Sequence, residues 1–275
     1  MDVVLGIDMG TSTTKVVALG EDERVISSRR KASTGKPEGL KAMVSSLKEE
    51  MAEQSMAVSR IAMTGVGASF IDEDILGIPT LHVTEFESQG RGGLFLGGLE
   101  RGIVCSIGTG STIVLAGPDG FAHMGGSAIG GGTLTGLGSR LFGLSDARDI
   151  ARLAEDGDLR QVDWHMDEIN QEVIATLPGF ATASNLGKMK AEATDADVAL
   201  GLFNMIYQTA GVMAAMVSRE AGTDDIVVVG SLAQFDHARL LLGQVGQLYH
   251  KNFIIPQTPA YGTAIGAALS GLAMP

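Results

Sequence analysis

One pattern occurs twice in this chain and constrains its fold more than any other. Near the start, the apolar run Asp2–Ile7 leads into the small, hydroxyl-rich segment Met9–Thr14 and a second apolar run, Lys15–Leu19. Further along, Ile103–Ile107, Gly108–Thr112 and Ile113–Ala116 repeat that order. A short apolar run on each side of a glycine-containing polar turn predicts a β-hairpin. Two such hairpins predict two related lobes, residues 1–100 and 101–275, each contributing a turn to one cleft, with a helical insertion in the second. Helical and extended periodicities alternate elsewhere, so the class is α/β.

The local patterns fill in the rest. Arg24–Lys31 reads as a third strand with Arg29, Arg30 and Lys31 facing solvent, and Pro37 opens a helix through Leu40, Val44, Leu47 and Met51. Arg60–Thr64 and Thr80–Val83 read as short strands, and Thr84 caps a glycine-interrupted helix. Gly132–Phe142, Ser145–Glu155 (capped by Ser145), Asp197–Ala221 and Ala238–Leu248 read as helices. Asp225–Val229 and Phe253–Ile255 are strands, and the tail Ala260–Met274 is a packed helix. Asp156–Leu177 carries no clear pattern.

Composition narrows the function classes. The formal charge is −12 with no long basic run, which disfavours nucleic acid or an acidic membrane as a partner. One cysteine, Cys105, excludes an internal disulfide or a multi-cysteine metal site and reads as a small core residue. The N-terminus lacks a signal-peptide pattern, and no apolar run approaches the ~20 residues of a membrane span, so a cytoplasmic protein is expected. Glycine is abundant, 38 of 275 residues against an ordinary level of roughly 7%, and it clusters at a few places where backbone is expected to meet a ligand or other backbone.

Three of those places fit phosphate chemistry. In "DMGTSTTK" a tight turn at Gly10 aims backbone N–H groups one way, and Thr11, Ser12 and Thr13 add hydroxyl donors. Lys15 can neutralise phosphate, and Asp8 can hold Mg²⁺, directly or through water, where the β- and γ-phosphates of ATP meet. This is not a Walker loop, because no Lys-Ser/Thr pair opens a helix and Val16-Val17 continue as strand. The second turn, "GTGST" at Gly108–Thr112, is weak alone and gains weight from the repeat. In "GGSAIGGGTLTGLG" three glycines precede a helix whose N–H groups are expected to face outward toward an anion; a close helix crossing is the alternative. Glu85 falls in the first turn of a helix that follows a strand, where it can take the proton of an attacking hydroxyl. For Glu87 an ordinary N-terminal helix acid is the better account. The five histidines share no ligand spacing.

Taken in order, "GIDMGTSTTK", "TEFESQG", "SIGTGST", "GGSAIGGGTLTGLG", "LPGFATASNLGKM", "VVVGS" and "AYGTAIGAAL" resemble the type II pantothenate kinases of the actin-like ATPase superfamily. The resemblance spans nearly the whole chain. It implies two ribonuclease-H-like lobes around a nucleotide cleft, ATP and Mg²⁺ as cofactors, and phosphorylation of the primary hydroxyl of pantothenate, the first step toward coenzyme A. It implies Glu85 as catalytic base and Asp8, Met9, Gly10, Thr11, Ser12, Thr13, Thr14, Lys15, Thr109, Gly110, Gly131, Gly132, Thr133, Leu134, Thr135 and Ser231 as nucleotide positions. It also implies a homodimer joined through long helices, which suits Asp197–Ala221.

One departure stands out. The family usually places an arginine where this chain has His123, and a histidine is shorter and lacks the bidentate guanidinium. The acceptor is therefore pantothenate held elsewhere, or another small alcohol or sugar. A non-catalytic nucleotide or coenzyme A sensor is the rival from another class. Activators of 2-hydroxyacyl-CoA dehydratases share the opening turn, but their iron–sulfur cluster needs two cysteines per chain.

Overall fold

The computed structural model describes residues 2–33, 37–169 and 177–274, so residues 170–176 of the unpatterned stretch lie outside it. The chain divides into two compact units.

The first unit comprises Met1–Val104, Val114–His123 and Pro256–Pro275. Its sheet is built from β1 (Asp2–Met9), β2 (Thr13–Gly20), β3 (Val25–Ala32), β4 (Ala57–Thr64) and β5 (Thr80–His82), in the order β3-β2-β1-β4-β5. The β1–β2 and β2–β3 pairs are antiparallel hairpins, whereas β4 runs parallel to both β1 and β5. Helix α1 (Pro37–Glu53) lies between β3 and β4, and α2 (Glu85–Gly97) follows β5.

Alternation along the strands decides which face each residue serves. Val3, Leu5, Ile7 and Met9 pack with Leu40, Val44, Leu47 and Met51 of α1. Val4, Val17, Leu19 and Ala62 pack instead with Ala264, Ile265 and Ala268 of the C-terminal helix. Both faces of β1 are covered, which is why it reads as one unbroken apolar run. Arg29, Arg30 and Lys31 on β3 are exposed, as expected of an edge strand.

The second unit comprises Cys105–Ile113 and Met124–Ile255. In chain order come β6 (Gly102–Ile107), β7 (Ser111–Gly117), β8 (Gly120–Ser127), α3 (Gly131–Phe142) and α4 (Ala147–Leu153). A small β9 (Trp164–His165) pairs with β10 (Thr182–Ser184), with α5 (Met166–Ile169) between them. Then follow α6 (Asp195–Glu220), β11 (Asp225–Val229), α7 (Asp236–Tyr249), β12 (Asn252–Ile254) and α8 (Gly262–Ala273), the last of which belongs to the first unit. The second sheet has the order β12-β11-β6-β7-β8.

Two helix starts differ from expectation. Asp146, not Ser145, caps α4 by accepting from the Arg148 N–H, because a carboxylate at that position reaches the first turn. Helix α6 begins two residues early through a Thr194–Asp197 capping box, in which each side chain bonds the other's backbone N–H. By length and composition α6 could span a membrane. Its Phe203, Ile206, Tyr207 and Ala210 are nevertheless buried inside the second unit, with the Tyr207 hydroxyl donating to the Leu232 carbonyl at 2.9 Å. Cys105 is a core residue too: its thiol is fully buried, and burial pushes its pKa up to about 12.

Candidate active site

In the first unit, strand alternation brings the charged motif residues to one place. Asp8 continues the face of Val4 and Gly6, and Lys15 continues that of Val17 and Leu19, so both side chains face α8. The hairpin register sets Asp8 directly opposite Lys15, and their side chains form a 3.0 Å ion pair with about a tenth of each exposed. Thr64 of β4 is Asp8's register partner on the other side, and its buried hydroxyl has no hydrogen-bond partner among the described residues. Gly10 closes the turn by donating to the Thr13 carbonyl at 3.2 Å. Thr11 and Ser12 are exposed at its tip, Thr13 is half-buried, and Met9 and Thr14 are buried.

Helix α2 delivers Glu85 to the same face. Thr84 caps the helix as expected, its hydroxyl accepting from the Glu87 N–H, and Glu85 is the first helical residue. Burial by surrounding protein, and then the negative charge of Asp8, raise the Glu85 pKa above its ordinary value, while Lys15 pulls it back. The carboxyl is thus exposed enough to meet a substrate and crowded enough to hold a proton more tightly than a free glutamate. Glu87 has a structural role, accepting from Ser270 of α8 at 2.9 Å and from Arg91 at 3.3 Å. His123 stacks on Phe86 with ring centroids 4.3 Å apart, directly beside Glu85 in sequence.

What fixes α2 is its crossing with α8. A methyl group at Gly92 would fall on the Gly262 carbonyl oxygen, and one at Gly266 on the Ser88 carbonyl oxygen. Gly6 of β1 meets Ala264 and Ala268 just as closely. The tail motif "AYGTAIGAAL" is therefore the surface against which strand β1 and helix α2 are both seated.

In the second unit the glycine motifs assemble on each other. The Gly131 N–H donates to the Gly108 carbonyl at 2.7 Å and the Gly132 N–H to the Thr109 carbonyl at 2.8 Å. The expectation that these two N–H groups face outward is corrected: they clamp the second hairpin turn, the close-crossing alternative. Gly130 lies so near Gly110 that a Cβ would meet its backbone at 2.7 Å, and Gly230, at φ 100°, meets the backbone of Ile107. Leu134 is fully buried and its N–H closes on Gly130. Thr133 accepts from the Gly130 N–H, and Thr135 donates to the Gly131 carbonyl. Thr109 is left exposed on the turn, with Gly110 half-buried beside it, and Ser231, after Gly230, is half-buried.

Among the described residues no group of three or more His, Cys, Asp and Glu side chains is placed to hold a metal ion. A single carboxylate, Asp8, does fit magnesium of the kind that takes most of its ligands from phosphate oxygens and water. Sequence reasoning missed Gln89 and Thr64 at this site. Gln89 carried a signal, since it lies four residues after Glu85 on the same helical face; Thr64 carried none until the β1–β4 register was known.

Known proteins agree with this architecture. A family model described as Fumble matches residues 102–241, just over half of the chain. The type II pantothenate kinase of Staphylococcus aureus (strain MRSA252) is 26% identical over 283 residues, covering 97% of this chain and 99% of that protein. Component A of the (R)-2-hydroxyglutaryl-CoA dehydratase of Acidaminococcus fermentans superposes with a TM-score of 0.69 at 17% identity, all of both chains being covered. A ROK family glucokinase from Streptomyces griseus, in complex with glucose and AMPPNP, gives a TM-score of 0.58 at 17% identity over 98% of each chain. These structural likenesses show the fold: two ribonuclease-H-like α/β units.

Proposed function

The chain belongs to the Fumble family, and we propose that it is an ATP-dependent kinase acting on the primary hydroxyl of pantothenate. The observation that carries this reading is the cluster in the first unit. A buried Asp8–Lys15 ion pair and the Glu85 carboxyl, held by three different elements, influence one another's charge on one face of the sheet.

Phosphoryl transfer asks a protein mainly for positioning and for charge. Lys15 supplies a cation for the phosphate oxygens, and the hydroxyls of Thr11 and Ser12 lie exposed on the same turn. Asp8 is the carboxylate that would hold Mg²⁺, which when bound neutralises charge at the β- and γ-phosphates. Glu85 accepts the proton of the attacking hydroxyl. In the second unit Thr109 and Gly110 present a turn that the α3 N-terminus holds rigid, and α3 directs its positive dipole end that way.

The acceptor is tested by measuring ADP release from Mg-ATP with pantothenate, pantetheine and simple sugars in parallel. Pantothenate is expected to give turnover that the Glu85→Gln variant loses. Turnover with a sugar and none with pantothenate overturns the pantothenate assignment. Nucleotide binding without any turnover supports a non-catalytic sensor. One observation favours a second reading, a different small alcohol: His123, where the family usually has an arginine, stacks on Phe86, the residue that follows Glu85.

A pH prediction follows from the carboxylate. Glu85 works as a base only when ionised, so kcat/KM rises with pH through its pKa. Burial and Asp8 raise that pKa, so the acid limb is expected above the ordinary glutamate value of 4.5. An acid limb at or below that value would argue against Glu85 as the base.

A further inference from the structure

Glu85 has a neighbour whose chemistry is unexplained by packing. Gln89 lies one turn further along α2, is 3% exposed, and donates from Nε2 to Glu85 Oε1 at 3.0 Å. A carboxylate ion can only accept hydrogen bonds, so the NH₂ end of the amide must face it. The other end, Oε1, is then buried, and it has no hydrogen-bond partner among the described residues. An orphaned buried carbonyl lowers stability, and a methionine of similar length would fill the same volume without that cost. Packing alone would not select a half-satisfied amide at this position.

We propose that Gln89 is the positioning residue for the catalytic base, holding one oxygen of Glu85 so that the other is presented to the acceptor hydroxyl and the carboxylate stays ionised. The proposal rests on the reading of Glu85 as that base. The root of Gln89 is fixed, because the Ser88–Gly266 and Gly92–Gly262 backbone contacts lie on either side of it. Charged groups around Glu85 come from each neighbouring element: Asp8 on β1, Lys15 on β2, and Glu87 on α2 itself, which is tied to Arg91 and to Ser270 of α8. Asp8 opposes ionisation of Glu85 and Lys15 assists it; Gln89 adds a neutral donor that favours the ionised form without adding charge.

The test is an NMR pH titration of the Glu85 side-chain carboxyl, with the resonance assigned by its loss in Glu85→Gln, in the wild type and in Gln89→Met and Gln89→Glu. Loss of a hydrogen bond to a charged group is expected to raise the midpoint by about one pH unit in Gln89→Met. Gln89→Glu places a like charge at i,i+4 and is expected to raise it at least as far. Thermal midpoints should stay at or above the wild-type value in Gln89→Met, because the orphaned carbonyl is gone. The acid limb of kcat/KM with Mg-ATP and pantothenate should move with the NMR midpoint. A midpoint unmoved in Gln89→Met overturns the role of Gln89. Full turnover by Glu85→Gln overturns the base reading and this proposal with it, whereas loss of turnover there with an unmoved Gln89→Met midpoint overturns this proposal alone.

Discussion

Replacement of Glu85 by glutamine is expected to slow turnover about 10²–10⁴-fold while leaving Mg-ATP binding close to that of the wild type. The substitution keeps the side chain's shape and its place in the first turn of α2, and the new amide oxygen can still accept from Gln89 Nε2. What it removes is the ability to take a proton. Asp8 and Lys15, for which we propose the metal and phosphate roles, sit on β1 and β2 and are untouched. The fold should not suffer. The Glu85 pKa is raised in the folded protein, so the folded state binds its proton more tightly than the unfolded chain does. Stability contributed by this group is therefore present at low pH and lost as pH rises through the raised value. At neutral pH the glutamine variant should melt no lower than the wild type. A variant within about tenfold of wild-type turnover would mean that proton removal lies elsewhere. A variant that lost both turnover and nucleotide binding would mean that Glu85 shapes the pocket rather than the chemistry.

The hairpins and the Thr84 cap can be read directly from residues, because each rests on local chemistry, whereas Ser145 yields the α4 cap to Asp146 one position on. The β1–β2 turn and Thr84 at the start of α2 follow from neighbours within a few positions in sequence, whereas the ion pair of Asp8 with Lys15 across the hairpin emerges only from its register. The glycines behaved differently. Gly131 and Gly132 looked like an anion cradle, and a glycine's missing side chain says only that something comes close. That partner is backbone, the carbonyls of Gly108 and Thr109, more than twenty residues away in sequence. Thr64 was invisible for the same reason, since its nearness to Asp8 depends on a parallel β1–β4 register that no local pattern encodes. The C-terminal motif reads as a packed helix, and it forms one. Its role as the seat of both β1 and α2 required knowing that the chain returns to the first unit at its end.

That seat supports the second large prediction. Gly266→Ala is expected to destabilise the first unit by at least about 3 kcal/mol, roughly 6–12 °C in its melting transition. The added methyl would land on the Ser88 carbonyl oxygen and within 2.6 Å of the Gly92 N, both of them backbone atoms. A clash with the far end of a side chain is relieved by a rotamer change; a clash with helix backbone is relieved only by moving the helix. Separating α2 from α8 would also strain the Ser270–Glu87 hydrogen bond and shift Glu85 relative to Asp8 and Lys15, so turnover should fall even at temperatures where the protein remains folded. Glycine content alone does not predict this. Gly243 lies in the interior of α7 with open space where a Cβ would go, and Gly243→Ala should stabilise by about 0.5–1 kcal/mol through lower unfolded-chain entropy and better helix propensity. The pair makes the argument testable on thermal melts: equal effects at the two positions would show that the α2–α8 contact yields more readily than its backbone geometry implies. Opposite signs would show that the backbone contact of α2 with α8, and not glycine content, sets the stability at these two positions.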